Sequence, residues 1–392
     1  MSTFTIEHPV AEADREAVAR AVAESFGFSA QNAHEWFTTA GWENVVALRA
    51  EGAIIGGLLE APHAQFFGGR AVPAMGFAGV GVLPEWRRRG AAVAMMAADL
   101  RRLRALGMPL ANLYASTHAL YRKVGFGAAG NHHIGEVHPR DIQVAPARGL
   151  HTRRLDVADR PAMQALYRSL ARERPGHLDR GKYVWYRVFR AWEGREAHCT
   201  GVFDGDALVG YVVWRRAAPF PPCDVTLIDV VAPTAAVARR LWSFLADQGT
   251  MVKAFTLATA PHDPFWLALP HPGPTLTTRS PWMLRLVDLP AAIAARGYAE
   301  GVDVHVGLDV EDATLPENAG PWTLVVAGGQ GRLERGGQPA VTVTIEGLAA
   351  LYTGFQDATT LAVRGLLTGD RADRDRLDRA FSGPVPWLPD MF

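Results

Sequence analysis

The apolar positions of the chain switch repeatedly between a period of two and a period near three and a half, the signature of strands alternating with helices. A short alternation at 4–6 predicts a strand, and 12–26 predicts a helix. Two β-rich runs, 45–48 and 53–58, flank Glu51-Gly52 and read as strand–turn–strand. A longer strand is predicted over 74–82. After Gly90, Val93, Met96, Leu100 and Leu103 are spaced three, four and three apart, which is one face of a helix. A strand at 110–115 and a short helix at 118–124 complete the stretch.

The same order then returns. A strand at 152–155 leads to a helix at 159–171, a strand–turn–strand unit around Asp204-Gly205-Asp206, a strand at 226–231, a helix at 237–247 and a strand at 253–258. Leu208-Val209-Gly210-Tyr211 parallels Ile54-Ile55-Gly56-Gly57, and Val231-Ala232-Pro233 parallels Val82-Leu83-Pro84. Duplication of one α/β unit accounts for this; chance similarity of small α/β segments is the alternative. Beyond Trp282 the pattern changes. Strands are predicted at 322–326 and 340–345 on either side of Gly328-Gly329-Gln330-Gly331, with helices at 348–355 and 371–381, an α+β unit. The proline-bearing stretches 139–146 and 270–281 read as linkers. The expected domains are 1–145, 146–281 and 282–392.

Composition narrows the function classes. A chain of 392 residues exceeds what one core usually serves. Forty Lys plus Arg balance forty Asp plus Glu, so no basic excess points to nucleic acid or a membrane surface. The two cysteines, Cys199 and Cys223, make no disulfide framework and fall on predicted strands of the second unit. There is no apolar run of membrane-spanning length and no signal-peptide pattern, so a cytoplasmic protein is expected. His132, His133 and His138 lie close together without the Cys or carboxylate partners of a metal site, and no metal is expected.

The chemistry concentrates at Val80-Gly81-Val82-Leu83-Pro84-Glu85-Trp86-Arg87-Arg88-Arg89-Gly90-Ala91-Ala92. A strand ends, a short loop follows, and an arginine run opens a helix of small residues. Free N–H groups at a helix N-terminus favour an anion. Arginines there oppose the helix dipole unless an anion is bound. Gly90, Ala91 and Ala92 let a diphosphate approach, and the backbone of Val80 and Val82 suits an amide-rich arm laid alongside. The motif is neither a Rossmann nor a P-loop phosphate site, since both glycine patterns are absent. The second unit reads Thr234-Ala235-Ala236-Val237 at the matching point and lacks the arginines. Tyr121, in Tyr121-Arg122-Lys123-Val124-Gly125-Phe126, is either a core residue packed on Phe126 or a general acid able to protonate a leaving thiolate. The chain ends in Trp387, Leu388, Met391 and Phe392 with three prolines between 384 and 389, a composition that predicts a docked rather than a free tail.

With the arginine–glycine loop and Tyr121, the first unit resembles the GNAT acetyltransferases. The three-part order and aromatic C-terminus resemble the Eis-type (enhanced intracellular survival) group in particular, tandem GNAT folds followed by a sterol-carrier-protein-like α+β domain. The resemblance covers essentially the whole chain. It implies an N-acetyltransferase that moves the acetyl group of acetyl-CoA directly to a primary amine of a small molecule, such as an aminoglycoside, or to a lysine. It implies that Val80 and Val82 bind the pantetheine arm, that Arg87, Arg88, Gly90, Ala91 and Ala92 bind the pyrophosphate, and that Tyr121 is the general acid. The α-carboxylate of Phe392 would be the general base. Phe26 and Trp36 fall where such proteins place the acceptor, and His118 stands beside it in sequence. A homo-oligomer, a hexamer by resemblance, is implied as well. Two departures separate this chain from Eis: Ser116-Thr117-His118 stands in place of an acidic, glycine-rich stretch, and Met391 in place of an acidic residue. The competing reading is a non-catalytic acyl-CoA or lipid sensor on a GNAT scaffold.

Overall fold

The computed structural model describes residues 3–145, 149–269, 274–279 and 281–392. The expected linkers 139–146 and 270–281 lie partly outside these. Among the described residues three sheets form. The first runs Phe4–Glu7, Val45–Ala50, Ala53–Phe67, Arg70–Val82, Leu110–Tyr114, Trp282–Leu286, Gly127–Gly130. The second runs His151–Arg154, His198–Asp204, Ala207–Arg216, Cys223–Val231, Val252–Thr259, His133–Val137, Thr275–Thr278. In each, the fourth and fifth strands are parallel and the other neighbours antiparallel. The two sheets thus share one order and one set of directions, tandem GNAT folds flanked by helices.

Each sheet takes its sixth strand from the other half of the chain. Trp282–Leu286 pairs with Leu110–Tyr114 in the first sheet, and His133–Val137 pairs with Val252–Thr259 in the second. The ranges 1–145, 146–281 and 282–392 therefore follow the order of the chain, not the membership of the sheets. Period-two patterning reports that a strand is half-buried but not which sheet holds it.

The third sheet runs Gln330–Arg335, Gly320–Ala327, Val304–Glu311, Val341–Thr344, Leu367–Gly369. Here one sequence expectation is corrected. The hairpin partner of Gly320–Ala327 is Gln330–Arg335, and Val341–Thr344 instead runs parallel to Val304–Glu311. Gln330–Arg335 is an edge strand with few apolar residues, so its alternation is faint. Residue 345 is not strand either: Thr344 caps the helix Ile345–Thr353, its side chain accepting from the Gly347 N–H.

Several helices escape the sequence pattern, two of them beside the site. Ala30–Ala40 buries only Ala33 and Phe37, and Lys182–Phe189 is short and rich in β-forming aromatic and branched residues. On the helix Ala91–Ala105, Met95, Met96, Leu100 and Leu103 face the core, while Val93 is half-buried. Among the described residues no helix is long and apolar enough to cross a membrane.

A buried ion pair ties the first sheet to the third unit. Arg285, on the inserted strand Trp282–Leu286, donates to both oxygens of Asp312 at 2.8 and 2.7 Å. Asp312 also accepts from the N–H groups of Thr314 and Leu315 and from the Asn318 amide. The Asp312→Ala variant strands a buried guanidinium and should lose about 3–5 kcal/mol of stability. Denaturant titration reads this as a fall in midpoint. Ala at Arg371, whose partner Asp375 is exposed with it, should cost less than about 1 kcal/mol.

Candidate active site

The site begins where two parallel strands part. Arg70–Val82 and Leu110–Tyr114 pair from Ala74–Leu110 to Phe77–Leu113 and no further. Just past that point Arg70–Val82 bulges: its register against Ala53–Phe67 shifts between the pairs Leu59–Ala78 and Gly57–Gly81. Gly79 makes the bulge with φ 59°, and a Cβ there would lie 2.7 Å from the Trp36 ring. The edge at Val80–Val82 is left facing a groove instead of a strand.

The loop after this strand is bent to aim backbone N–H groups. Arg88 holds φ 60°, rare for a residue with a side chain, and Gly90 holds φ 85° as the cap of Ala91–Ala105. No side chain caps this helix. In the second unit, by contrast, the Thr234 hydroxyl accepts from the Val237 N–H and closes the matching helix. The three arginines differ. Arg87 donates to the carbonyls of Val82 and Ser25 at 3.2 and 3.1 Å, pinning the loop to strand and helix. Arg89 lies 5.0 Å over Trp86. Arg88 is exposed and has no side-chain partner among the described residues.

Phe26, Val80, Val82, Arg87, Arg88, Gly90, Ala91, Ala92 and Tyr121 line one groove of about 610 Å³. Tyr121 is buried at its side, ring edge-on to Phe126 at 6.0 Å. Burial pushes its hydroxyl above the usual value, against the pull of a hydrogen bond with Ser116, so it stays protonated at neutral pH. Trp36 lies outside this groove. It borders a second cavity of about 710 Å³ with Phe28, Arg187 and Arg190, and its indole donates to the Tyr183 hydroxyl. Phe26 stacks on Phe28 at 6.1 Å and bridges the two spaces. His118 opens the helix His118–Arg122 and lines neither space; its Nε2 is buried without a partner.

The tail is docked. Trp387, Leu388 and Phe392 are 5 %, 0 % and 9 % exposed, while Met391 is 51 % exposed. The Phe392 ring lies 5.1 Å from His63 and 5.9 Å from Tyr114. Gly76 makes room for it, since a Cβ there would meet the ring at 2.7 Å. Gly76 and Tyr114 flank the last paired residues, so Phe392 sits at the fork of the two strands. Tyr114 donates to the carbonyls of Leu388 and Asp390 at 3.0 and 2.9 Å. Burial lowers the pKa of His63 to about 4, leaving the imidazole neutral against the Asn112 amide.

A deeper anchor is Arg180. Its guanidinium grips Asp229 at 2.7 and 2.9 Å and Asp390 at 2.9 and 3.1 Å. Tyr211 donates to Asp229 and Tyr167 to Asp390. The guanidinium lies 3.5 Å over the Tyr167 ring. His63, Tyr114, Asp229 and the neighbours Arg180 and Tyr183 come from separate parts of the sequence and carry no local motif. The apolar tail itself is the only signal that pointed toward them.

Comparison with known proteins agrees with this architecture. Acetyltransferase (GNAT) domain profiles match residues 8–129 and 176–286, and a sterol carrier protein domain profile matches 289–389. An uncharacterized N-acetyltransferase of Streptomyces coelicolor is 31 % identical over 350 residues, covering 83 % of this chain and 82 % of its own. N-acetyltransferase Eis of Mycobacterium tuberculosis is 30 % identical over 341 residues, covering 80 % and 79 %. The crystal structure of a GCN5-related N-acetyltransferase from Anabaena variabilis superposes with a TM-score of 0.95 over 100 % of both chains at 28 % identity. With its two GNAT folds, its sterol-carrier-like third unit and this similarity along most of its length, the chain belongs to the Eis-type GNAT N-acetyltransferases, enzymes whose co-substrate is acetyl-CoA.

Proposed function

We propose that this enzyme transfers the acetyl group of acetyl-CoA directly to a primary amine, with Tyr121 as general acid and the Phe392 α-carboxylate as general base. The observation that carries the reading is the groove. Its lining joins an uncapped helix N-terminus and an unpaired Arg88 to a buried, protonated Tyr121. The diphosphate would rest on the N–H groups of Gly90–Ala92 with Arg88 as counter-charge, while Arg87 positions the loop. The pantetheine arm would follow the open edge at Val80–Val82. The amine nitrogen bonds to the acetyl carbon as the carbon–sulfur bond breaks. The thiolate takes the Tyr121 proton, and the ammonium proton passes to the terminal carboxylate directly or through a water. Assembly as a homo-oligomer belongs to the same reading.

Three measurements test it. Arg88→Glu should weaken acetyl-CoA binding by roughly tenfold to a hundredfold, the scale of one lost charged hydrogen bond, with repulsion added. Ala235→Glu, at the first residue of the matching helix in the second unit, should leave calorimetric binding unchanged. Tyr121→Phe keeps the packing and removes the proton donor, so affinity should hold while turnover falls about a hundredfold or more. Turnover within about twofold of wild type would make Tyr121 a packing residue. Two glycines appended after Phe392 move the carboxylate and keep every side chain. The extended protein should bind acetyl-CoA normally and turn over at least roughly tenfold more slowly; undiminished thiol release would remove the terminal carboxylate from the mechanism.

A further inference from the structure

A cavity of about 470 Å³ lies against the second sheet and is bordered by Pro389, Asp390 and Met391 of the tail. Its lining includes Arg187, Arg190, Arg195, Arg215 and Arg216. Its one carboxylate, Asp390, is already held by Arg180. Arg195 is paired with Glu193. The other four arginines have only neutral partners among the described residues. Arg187 donates to the Tyr183 hydroxyl at 3.3 Å, and Arg190 lies 4.3 Å over Trp192. Arg215 donates to the Arg190 carbonyl at 2.7 Å, and Arg216 lies 5.6 Å over Trp214. Moreover, Arg215 Nε is buried with no hydrogen-bond partner, whereas Arg216, next along the strand, turns to the opposite face with Trp214.

Such a cluster is unfavourable as it stands. Burial, then the charges of Arg190 and Arg195, hold the Arg215 guanidinium below its ordinary pKa. Burial and Arg187 do the same to Arg190. The chain as a whole has zero net charge, so the cluster is no by-product of a basic protein. A buried donor and gathered cations without acid partners describe a receptor for an anion. The cavity also adjoins the second cavity, beside the acetyl-CoA groove. It shares Arg187, Arg190 and Trp192 with the second cavity, where Phe28 and Trp36 stand, and Phe28 stacks on Phe26 in the groove.

We infer that the acceptor is an amine that also bears an oxyanion, a carboxylate or a phosphate, received by Arg187, Arg190 and Arg215 while the amine faces the groove. This rests on the amine-acetylation reading above. A guanidinium fork matches either oxyanion in two parallel hydrogen bonds. The same cluster rejects a polycation by like-charge repulsion.

Matched pairs test the inference: glucosamine against glucosamine 6-phosphate, and tyramine against tyrosine. Each is followed by thiol release from acetyl-CoA and, independently, by calorimetric binding with CoA present. In the wild-type enzyme at least one oxyanion-bearing member should exceed its partner without the oxyanion by at least about tenfold in kcat/KM, and should bind more tightly. That ratio should collapse toward one in Arg190→Met and Arg215→Met, each checked by thermal melting, and recover in part in Arg215→Lys. A response in the first pair alone assigns a phosphate, in the second alone a carboxylate. Equal or reversed preference in both pairs, or a preference untouched by both methionine variants, overturns the inference. So does failure of both oxyanion-bearing probes to bind. Arginine-dependent binding without acetylation of any amine would instead keep the oxyanion site and overturn the acetylation reading. Acetylation of neutral amines without anion binding would do the reverse.

Discussion

The guanidinium of Arg180 lies between two carboxylates from distant parts of the chain, and the arrangement of the C-terminus depends on it. Asp229 stands on a strand of the second sheet, and Asp390 is two residues before Phe392. Each offers both oxygens to the fork. Removing Arg180 would leave two buried carboxylates uncompensated, which costs several kcal/mol; the guanidinium therefore acts as a lock. The lock fixes where the chain stops. With Asp390 held and Tyr114 bonded to two tail carbonyls, Phe392 has little choice but the pocket over Gly76.

Around that point the two GNAT units have diverged to different tasks from one topology. In the first, the fork of the parallel strands opens beside an uncapped helix and becomes a groove. In the second, Thr234 closes the helix. There, a cavity near the fork is bordered by Asp229, Trp387 and Pro389, so the tail occupies the neighbourhood where the first unit keeps a ligand groove. The unit that lacks the arginine loop contributes Asp229, one of the two carboxylates that hold Arg180.

The groove was legible in the sequence because it is local. Val80 to Ala92 are contiguous, their spacing maps onto one strand, one loop and one helix turn, and Tyr121 follows within the same unit. The docking of the tail was legible from its apolar composition. The second cavity was not. Arg187 lies on a short helix rich in β-forming residues, and Arg180, Asp229 and Asp390 meet only through tertiary structure. Hairpin pairing in the third sheet failed for a related reason: Gln330–Arg335 is an edge strand whose polar residues hide its period. The exchange of sixth strands lay beyond any periodicity, since a strand has the same pattern in either sheet.

That exchange has a consequence for the order in which the protein can be made. Leu110–Tyr114 leaves the ribosome long before Trp282–Leu286, the strand that must lie beside it. Until the whole second unit has been synthesised, the first sheet has an open slot with exposed backbone groups on both sides. In the meantime His133–Val137 waits without the second sheet it will join. Loop closure over so many residues is slow, and unpaired strand edges are prone to wrong partners. The nascent chain is most vulnerable between those two events, and the two GNAT units mature together as one cooperative body.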